Sequence, residues 1–169
     1  MAFILASDGR DEEGNDGFQR YQEHLNGVQD TFPASAYKIA TSDWYFNFND
    51  RRCPHDAWLE TCNLHELSTG PRSDVRTLSL KVVLLGAFHD RRIELRYPRV
   101  FSYSLNISHG ERGQRDWRYD ELRLSDRGHL IHEIEWYGSH ATGSWVIEAS
   151  DLEIEFVLSP SGGSESGTS

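Results

Sequence analysis

Cys53, His55, Cys62 and His65 lie within thirteen residues of one another, in the stretch DRRCPHDAWLETCNLHE (50–66), and the two cysteines are the only ones in the chain. Zinc takes four Cys or His ligands in a tetrahedron, so the residue types suit a metal centre. The spacing does not. Zinc sites draw on close pairs such as C-x2-C, often with the second pair more than about ten residues away. Here C-x-H is followed, after six residues, by C-x2-H. Cys62 and His65 are three apart and point to opposite faces of a regular strand. A simpler reading makes Cys62 a small buried hydrophobe in phase with Trp58 and Leu64. His65 then points outward, and CPHD is a turn in which Asp56 accepts a local hydrogen bond. On this reading no metal and no cofactor is favoured, and Cys53 and Cys62 stay reduced in a cytoplasmic protein.

A second group with chemical potential is GHLIHEIEW (128–136). It is H-x-x-H-E, not the helical zinc motif H-E-x-x-H. As a strand it puts His129, Ile131, Glu133 and Glu135 on one face, and Leu130, His132, Ile134 and Trp136 on the other. His132 therefore sits in an apolar row, as a core histidine satisfied by a hydrogen bond. The repeated EIE at 133–135 and 153–155 projects Glu133 with Glu135, and Glu153 with Glu155. If those strands were neighbours, the four carboxylates would form an acidic patch for a basic partner. Paired carboxylates also serve acid–base chemistry or cation binding, but a solvated strand face is the ordinary outcome. There is no G-x-S-x-G, phosphate loop or dinucleotide fingerprint. Arginines interleave with aromatics in RRIELRYPRVFSYS and RDWRYDELR. Single-stranded nucleic-acid grooves use such mixtures, and so do protein interfaces. Most of these arginines are expected simply to cover apolar surface with their stems.

The net charge of −10 decides between those two uses. Residues 1–30 hold seven acids against Arg10 and Arg20, and residues 130–169 hold seven acids with no Lys or Arg. Residues 91–127 are the exception, with nine arginines against six acids. A protein that neutralises phosphates is not built this way, so nucleic acid is not an expected partner. A protein with a basic surface is.

The elements that must position these residues follow from periodicity. FQRYQEHLNGV, with Phe18, Tyr21, Leu25 and Val28, predicts a helix, and FPASAYKIATSDW a second short one with Pro33 in its first turn. From Trp44 the period becomes two, beginning with DWYFNF. Later runs place Leu78, Leu80, Val82 and Leu84 together, then Ile93, Leu95 and Tyr97, then Phe101, Tyr103, Leu105 and Ile107. In DWRYDELRL the phase slips between Trp117/Tyr119 and Leu122/Leu124, which predicts a bulge near Asp120. SDRG (125–128) suits a hairpin with Gly128 left-handed, and FHDR and YGSHATGS are further turns. Pro98 marks an edge or corner. The expected fold is mainly β, all-β or α+β. It is an antiparallel meander of about eight or nine strands forming a sandwich, curved sheet or barrel, with one or two short N-terminal helices. Residues 18–158 are read as one domain, between an unordered acidic stretch 1–17 and an unordered Ser/Gly tail 159–169.

No apolar run is long enough for a membrane helix, and the N-terminus lacks a positive region before its apolar residues, so a cytoplasmic protein is expected. In size, acidity and strand content the chain is similar to immunity proteins of bacterial toxin systems. That likeness implies a non-enzymatic protein-binding module with a basic toxin as partner, and assigns no residue. Two other functions remain open: a small metal-dependent or acid–base enzyme with a sheet-lined cavity, and a structural domain that self-associates through an edge strand near Pro98.

Overall fold

The computed structural model describes residues 2–5, 16–106, 116–138 and 141–159. Of the 1–17 stretch read as unordered, residues 2–5 instead pack on the domain, with Ile4 buried, and Asp16 opens the first helix. Residues 6–15, Ile107, residues 139–140 of the expected turn YGSHATGS and the stretch from 160 lie outside the described residues.

Helix α1 (Asp16–Val28) buries Tyr21 and Leu25 and half-buries Phe18 and Val28. This is the apolar stripe a helical period requires. Helix α2 (Ala34–Ala40) buries Ala36, Ile39 and Ala40. Pro33 stands at its N-cap, one residue before the expected first turn, and has no side-chain donor or acceptor to offer. The Asp151 carboxylate does the capping from across the fold, accepting from Ser35 N–H at 3.3 Å and Ala36 N–H at 2.9 Å.

The strand expected at DWYFNF (43–48) does not form; residues 43–52 make successive turns instead. Asn47 Oδ1 accepts from Asn49 N–H at 3.1 Å, and Asp50 Oδ1 accepts from Arg52 N–H at 2.8 Å. Such local side-chain bonds compete with a strand ladder for the backbone.

Eight strands follow: β1 (Trp58–Thr69), β2 (Val75–Leu85), β3 (Arg91–Tyr97), β4 (Val100–Asn106), β5 (Asp116–Leu124), β6 (Leu130–Gly138), β7 (Ala141–Ala149) and β8 (Glu153–Leu158). They form one open antiparallel sheet in the order β4-β7-β6-β5-β1-β2-β3-β8. It is not a barrel, since β4 and β8 are free edges. Nor is it a plain meander. β1-β2-β3 and β5-β6-β7 are meanders, but β4 joins the second triplet and β8 the first. The chain crosses between halves at Pro98–Arg99, so Pro98 marks a corner as expected.

The halves meet at a waist, where β1 and β5 share a single paired position, Trp58 with Asp116. The sheet folds over so that the inner faces confront one another: Tyr97 on β3 reaches His132 on β6, although three strands separate them in the sheet. Leu80, Val82, Leu84, Ile93 and Leu95 pack against Trp117, Leu122, Leu130, Ile134, Trp136 and Ile147 in one core. Beyond the waist, among the described residues, the edge of β5 has no strand beside it and is capped piecemeal. Trp117 exchanges backbone hydrogen bonds with Asp56 and Ala57. The Tyr21 hydroxyl donates to Leu122 O at 2.7 Å and accepts from Leu122 N–H at 3.0 Å. These contacts blunt an edge that would otherwise recruit another strand.

Of three register shifts among the described strands, in β1, β4 and β5, those in β5 and β1 set which side chains of the site face where. In β5 the register shifts between Trp117 and Tyr119, two residues earlier than the expected Asp120. Trp117, Asp120 and Leu122 are consequently all buried. In β1 the shift lies between Leu59 and Thr61. It overturns the expected phase: Leu59, not Trp58, shares the inner face with Cys62, and Trp58 is turned outward at 48% exposure. One extra residue reverses the facing of everything before it.

Candidate functional site

Chemistry-bearing groups gather in two places, one inside the fold and one on its surface. Inside, the bulge in β5 delivers Asp120 to the core. Its Oδ2 accepts from Tyr45 Oη at 2.6 Å and from His132 Nε2 at 3.1 Å, and its Oδ1 accepts from Trp117 Nε1 at 3.1 Å. His132 Nδ1 is 2.7 Å from Tyr97 Oη. A carboxylate only accepts, so Nε2 donates to Asp120, and in the neutral ring Nδ1 then accepts from the Tyr97 hydroxyl. Asp120, His132, Tyr45, Tyr97 and Trp117 are all buried. Burial first, and the Asp120 charge second, raise the Tyr45 and Tyr97 phenols well above their ordinary value. The expected core histidine with a hydrogen-bond partner is therefore present, with a partner at each nitrogen. Its Asp, Tyr and Trp neighbours come from segments whose sequence gives no sign that they meet.

On the surface, the waist concentrates exposed aromatics and arginines. Trp58, Asp116 and Tyr137 stand side by side on the outer face of β1, β5 and β6, since Trp58 pairs with Asp116 and Asp116 with Tyr137. Tyr137 is 54% exposed. Phe48 and Phe88 are also exposed large apolar side chains. The Arg118 guanidinium lies over Tyr119 at 5.3 Å and Tyr137 at 5.9 Å, and that of Arg51 over Phe88 at 5.2 Å. His89 meets the Trp58 ring at 4.5 Å between centroids. Asp56 and His89 adopt left-handed backbone at φ 60° and 57°, conformations uncommon outside glycine but favoured by short polar residues. Desolvation, and then the nearby Asp56 charge, raise the Asp116 carboxyl above its ordinary value, against the opposing pull of Arg118.

The residues singled out by spacing are scattered across these regions. Cys53 is buried and its thiol donates to Tyr45 O at 2.9 Å; burial pushes its pKa up to about 12. His55 stacks on Phe48 at 3.8 Å, with Nδ1 2.6 Å from Arg118 O and Nε2 3.3 Å from Arg118 Nη1. Cys62 packs half-buried against the core opposite Val82, and His65 is exposed on the other face. Both thiols are free. Among the described residues, no three His, Cys, Asp or Glu side chains gather closely enough to hold a metal ion.

The four glutamates are not brought together. β6, with Glu133 and Glu135, is separated from edge strand β8, with Glu153 and Glu155, by β5, β1, β2 and β3. The condition for a shared acidic patch is not met. Nor do these carboxylates lack cationic neighbours: Glu133 pairs with Arg123 at 2.6 Å, and Glu153 stands beside Arg96 in the ladder. Glu133 and Glu135 do line an open depression of about 310 Å³ with Leu5, Asn106 and Ser144. The larger depression, about 430 Å³, lies between the C-terminal ends of α1 and α2, lined by Gln22, Asn26, Asp43, Phe46 and Asn47 among others. No described helix is long and apolar enough to cross a membrane.

Compared with protein-family models, with curated proteins and with solved structures, the chain finds no match.

Proposed function

We propose that this chain is a non-enzymatic protein-binding module that engages a basic partner through its waist. The observation that carries this reading is the row of exposed Trp58, half-buried Asp116 and exposed Tyr137 on the outer face, with Arg118 over Tyr137 and His89 against Trp58. Trp, Tyr and Arg dominate binding hot spots because they join large contact area to directional polar groups. The net charge of −10 favours a basic partner by accelerating encounter at low ionic strength. A basic toxin neutralised by an immunity-like protein is one instance of such a pair. The acid–base enzyme reading has less support, because the His132–Asp120 pair lies wholly within the core.

The test is capture of a basic protein from native lysate at low salt on immobilised protein, repeated with Trp58→Ala and Tyr137→Ala. Retention by the parent and loss by both variants is expected. No retained protein, or retention indifferent to both substitutions, removes the proposal.

One observation favours a second reading, self-association. β1 continues past Trp58 to Thr69 with only β2 beside it among the described residues, and Leu64, Leu67 and Val75 on this hairpin are exposed. Long exposed edges template strand pairing. Light scattering that stays monomeric at every accessible concentration would count against it.

A further inference from the structure

We infer that Trp58, Asp116 and Tyr137 form a slot for one cationic side chain, an arginine or lysine, projecting from a protein partner. The inference rests on the protein-binding reading and names the chemistry of its centre. The three residues occupy successive positions across three neighbouring strands, all facing outward. Strands lie about 4.8 Å apart, so the two aromatic residues stand roughly 10 Å from each other with the carboxylate between them. That separation admits one flat or tetrahedral cation between two rings. Cations prefer the faces of Trp and Tyr, where the ring quadrupole is negative.

The local charges are consistent with a cationic guest. Arg118 lies over Tyr137 at 5.9 Å, an internal instance of the cation–aromatic contact inferred for the guest, which must use the side of the ring toward Trp58. Arg118 is also 3.6 Å from Asp56 Oδ1, so one of the two local carboxylates has its own cation. Among the described residues Asp116 makes no direct hydrogen bond or ion pair; burial and Asp56 disfavour its charge, while Arg118 favours it without touching it. An incoming cation would add a direct contact to the charge that Arg118 offers only from a distance. A carboxylic or phosphate group would meet Asp116 and Asp56 together and be repelled. The row is completed by Leu85 on β2, which gives the stem of a long side chain an apolar bed.

The experiment uses the full chain and a hexa-arginine peptide as probe, with hexa-glutamate as control. Binding is read by calorimetry and by the NMR shift of the Trp58 indole N–H. Hexa-arginine is expected to bind and to move that signal, and hexa-glutamate to do neither. Trp58→Ala and Asp116→Asn should each weaken hexa-arginine binding by about tenfold, the loss of one cation–π or charge-assisted contact. Neutralising the remote edge through Glu153→Gln with Glu155→Gln should change it less than about twofold at moderate salt. Equal weakening by the remote pair would mean that net charge alone attracts the peptide, and would overturn the slot. So would binding that ignores Asp116→Asn while the circular dichroism of that variant remains native. If hexa-arginine fails but lysate capture depends on Trp58, the slot falls and the binding module stands. If hexa-arginine binds at the slot and no partner is captured, the slot stands and the module reading falls.

Discussion

The core around His132 and the waist around His55 use the same residue types to opposite ends. Each contains a histidine bonded at both nitrogens, an aspartate, a tyrosine and a tryptophan. At His132 every polar atom named finds its partner inside the protein, and no side chain is exposed. At the waist the aromatics are half in water, and among the described residues Asp116 makes no direct hydrogen bond or ion pair, with Arg118 acting on it only from a distance. A buried polar network that is fully satisfied makes a fold specific, because any missing partner leaves a costly orphan. An exposed, incompletely satisfied one retains capacity for a ligand. Histidine count therefore says little about chemistry here; satisfaction and access decide.

The sharpest way to break this comparison is Asp120→Ala. It strips one acceptor from three buried donors, those of Tyr45, Trp117 and His132. Each orphaned donor costs about 1–3 kcal/mol, so a loss of roughly 3–5 kcal/mol is expected once partial relaxation is allowed. Urea denaturation would measure it as a drop in midpoint at constant slope. A loss below about 1 kcal/mol would mean that the network does not hold the two halves together.

Next in size is the response to alkali. Burial raises the Tyr45 and Tyr97 phenols and pushes the Cys53 thiol up to about 12. Unfolded tyrosine and cysteine ionise near ~10 and ~8.5. With the folded value above the unfolded one, the unfolded chain sheds its protons first. The stabilisation is complete below about pH 8.5 and is lost as pH rises, by up to about 1.4 kcal/mol per pH unit for each group. Cys53→Ala should flatten the fall that begins near pH 9, and Tyr97→Phe the steeper fall above about pH 10. Parent and variant stability curves of identical slope would show that these groups ionise freely in the native state.

Much of the core network was half legible in the sequence. The alternation of GHLIHEIEW placed His132 in an apolar row, and the phase slip in DWRYDELRL announced a bulge. Neither named Tyr97 or Asp120 as the partner. Those contacts depend on strand order and on a bulge placed two residues earlier, and side-chain period encodes neither. The same limit explains the scattered glutamates: identical EIE triplets promised a joint patch, but β8 crosses to the far edge. Trp58 was misplaced for a more local reason. The extra residue in β1 falls between Leu59 and Thr61, and TWO-fold alternation simply counted through it. The arginine–aromatic mixture of RDWRYDELR did point toward an interface, and it supplies Arg118 and Tyr119 to the waist.

The smallest expected effect on stability sharpens the contrast from the other side. Trp58→Ala removes the largest exposed aromatic of the waist, yet half its surface is already in water and its named ring contact is the edge of His89. Truncating a buried tryptophan such as Trp136 costs about 3–5 kcal/mol. Trp58→Ala should cost about 1 kcal/mol or less, in the range of surface substitutions that also lose some packing. A partner that uses Trp58 as an anchor should nonetheless lose about 2 kcal/mol or more of binding free energy. The measurement is paired: denaturation of the free protein, and affinity for the captured partner. A large stability loss would make Trp58 a structural residue that happens to be visible. A small loss with a large binding defect separates the two roles, because the same ring then matters little to the fold and greatly to the complex.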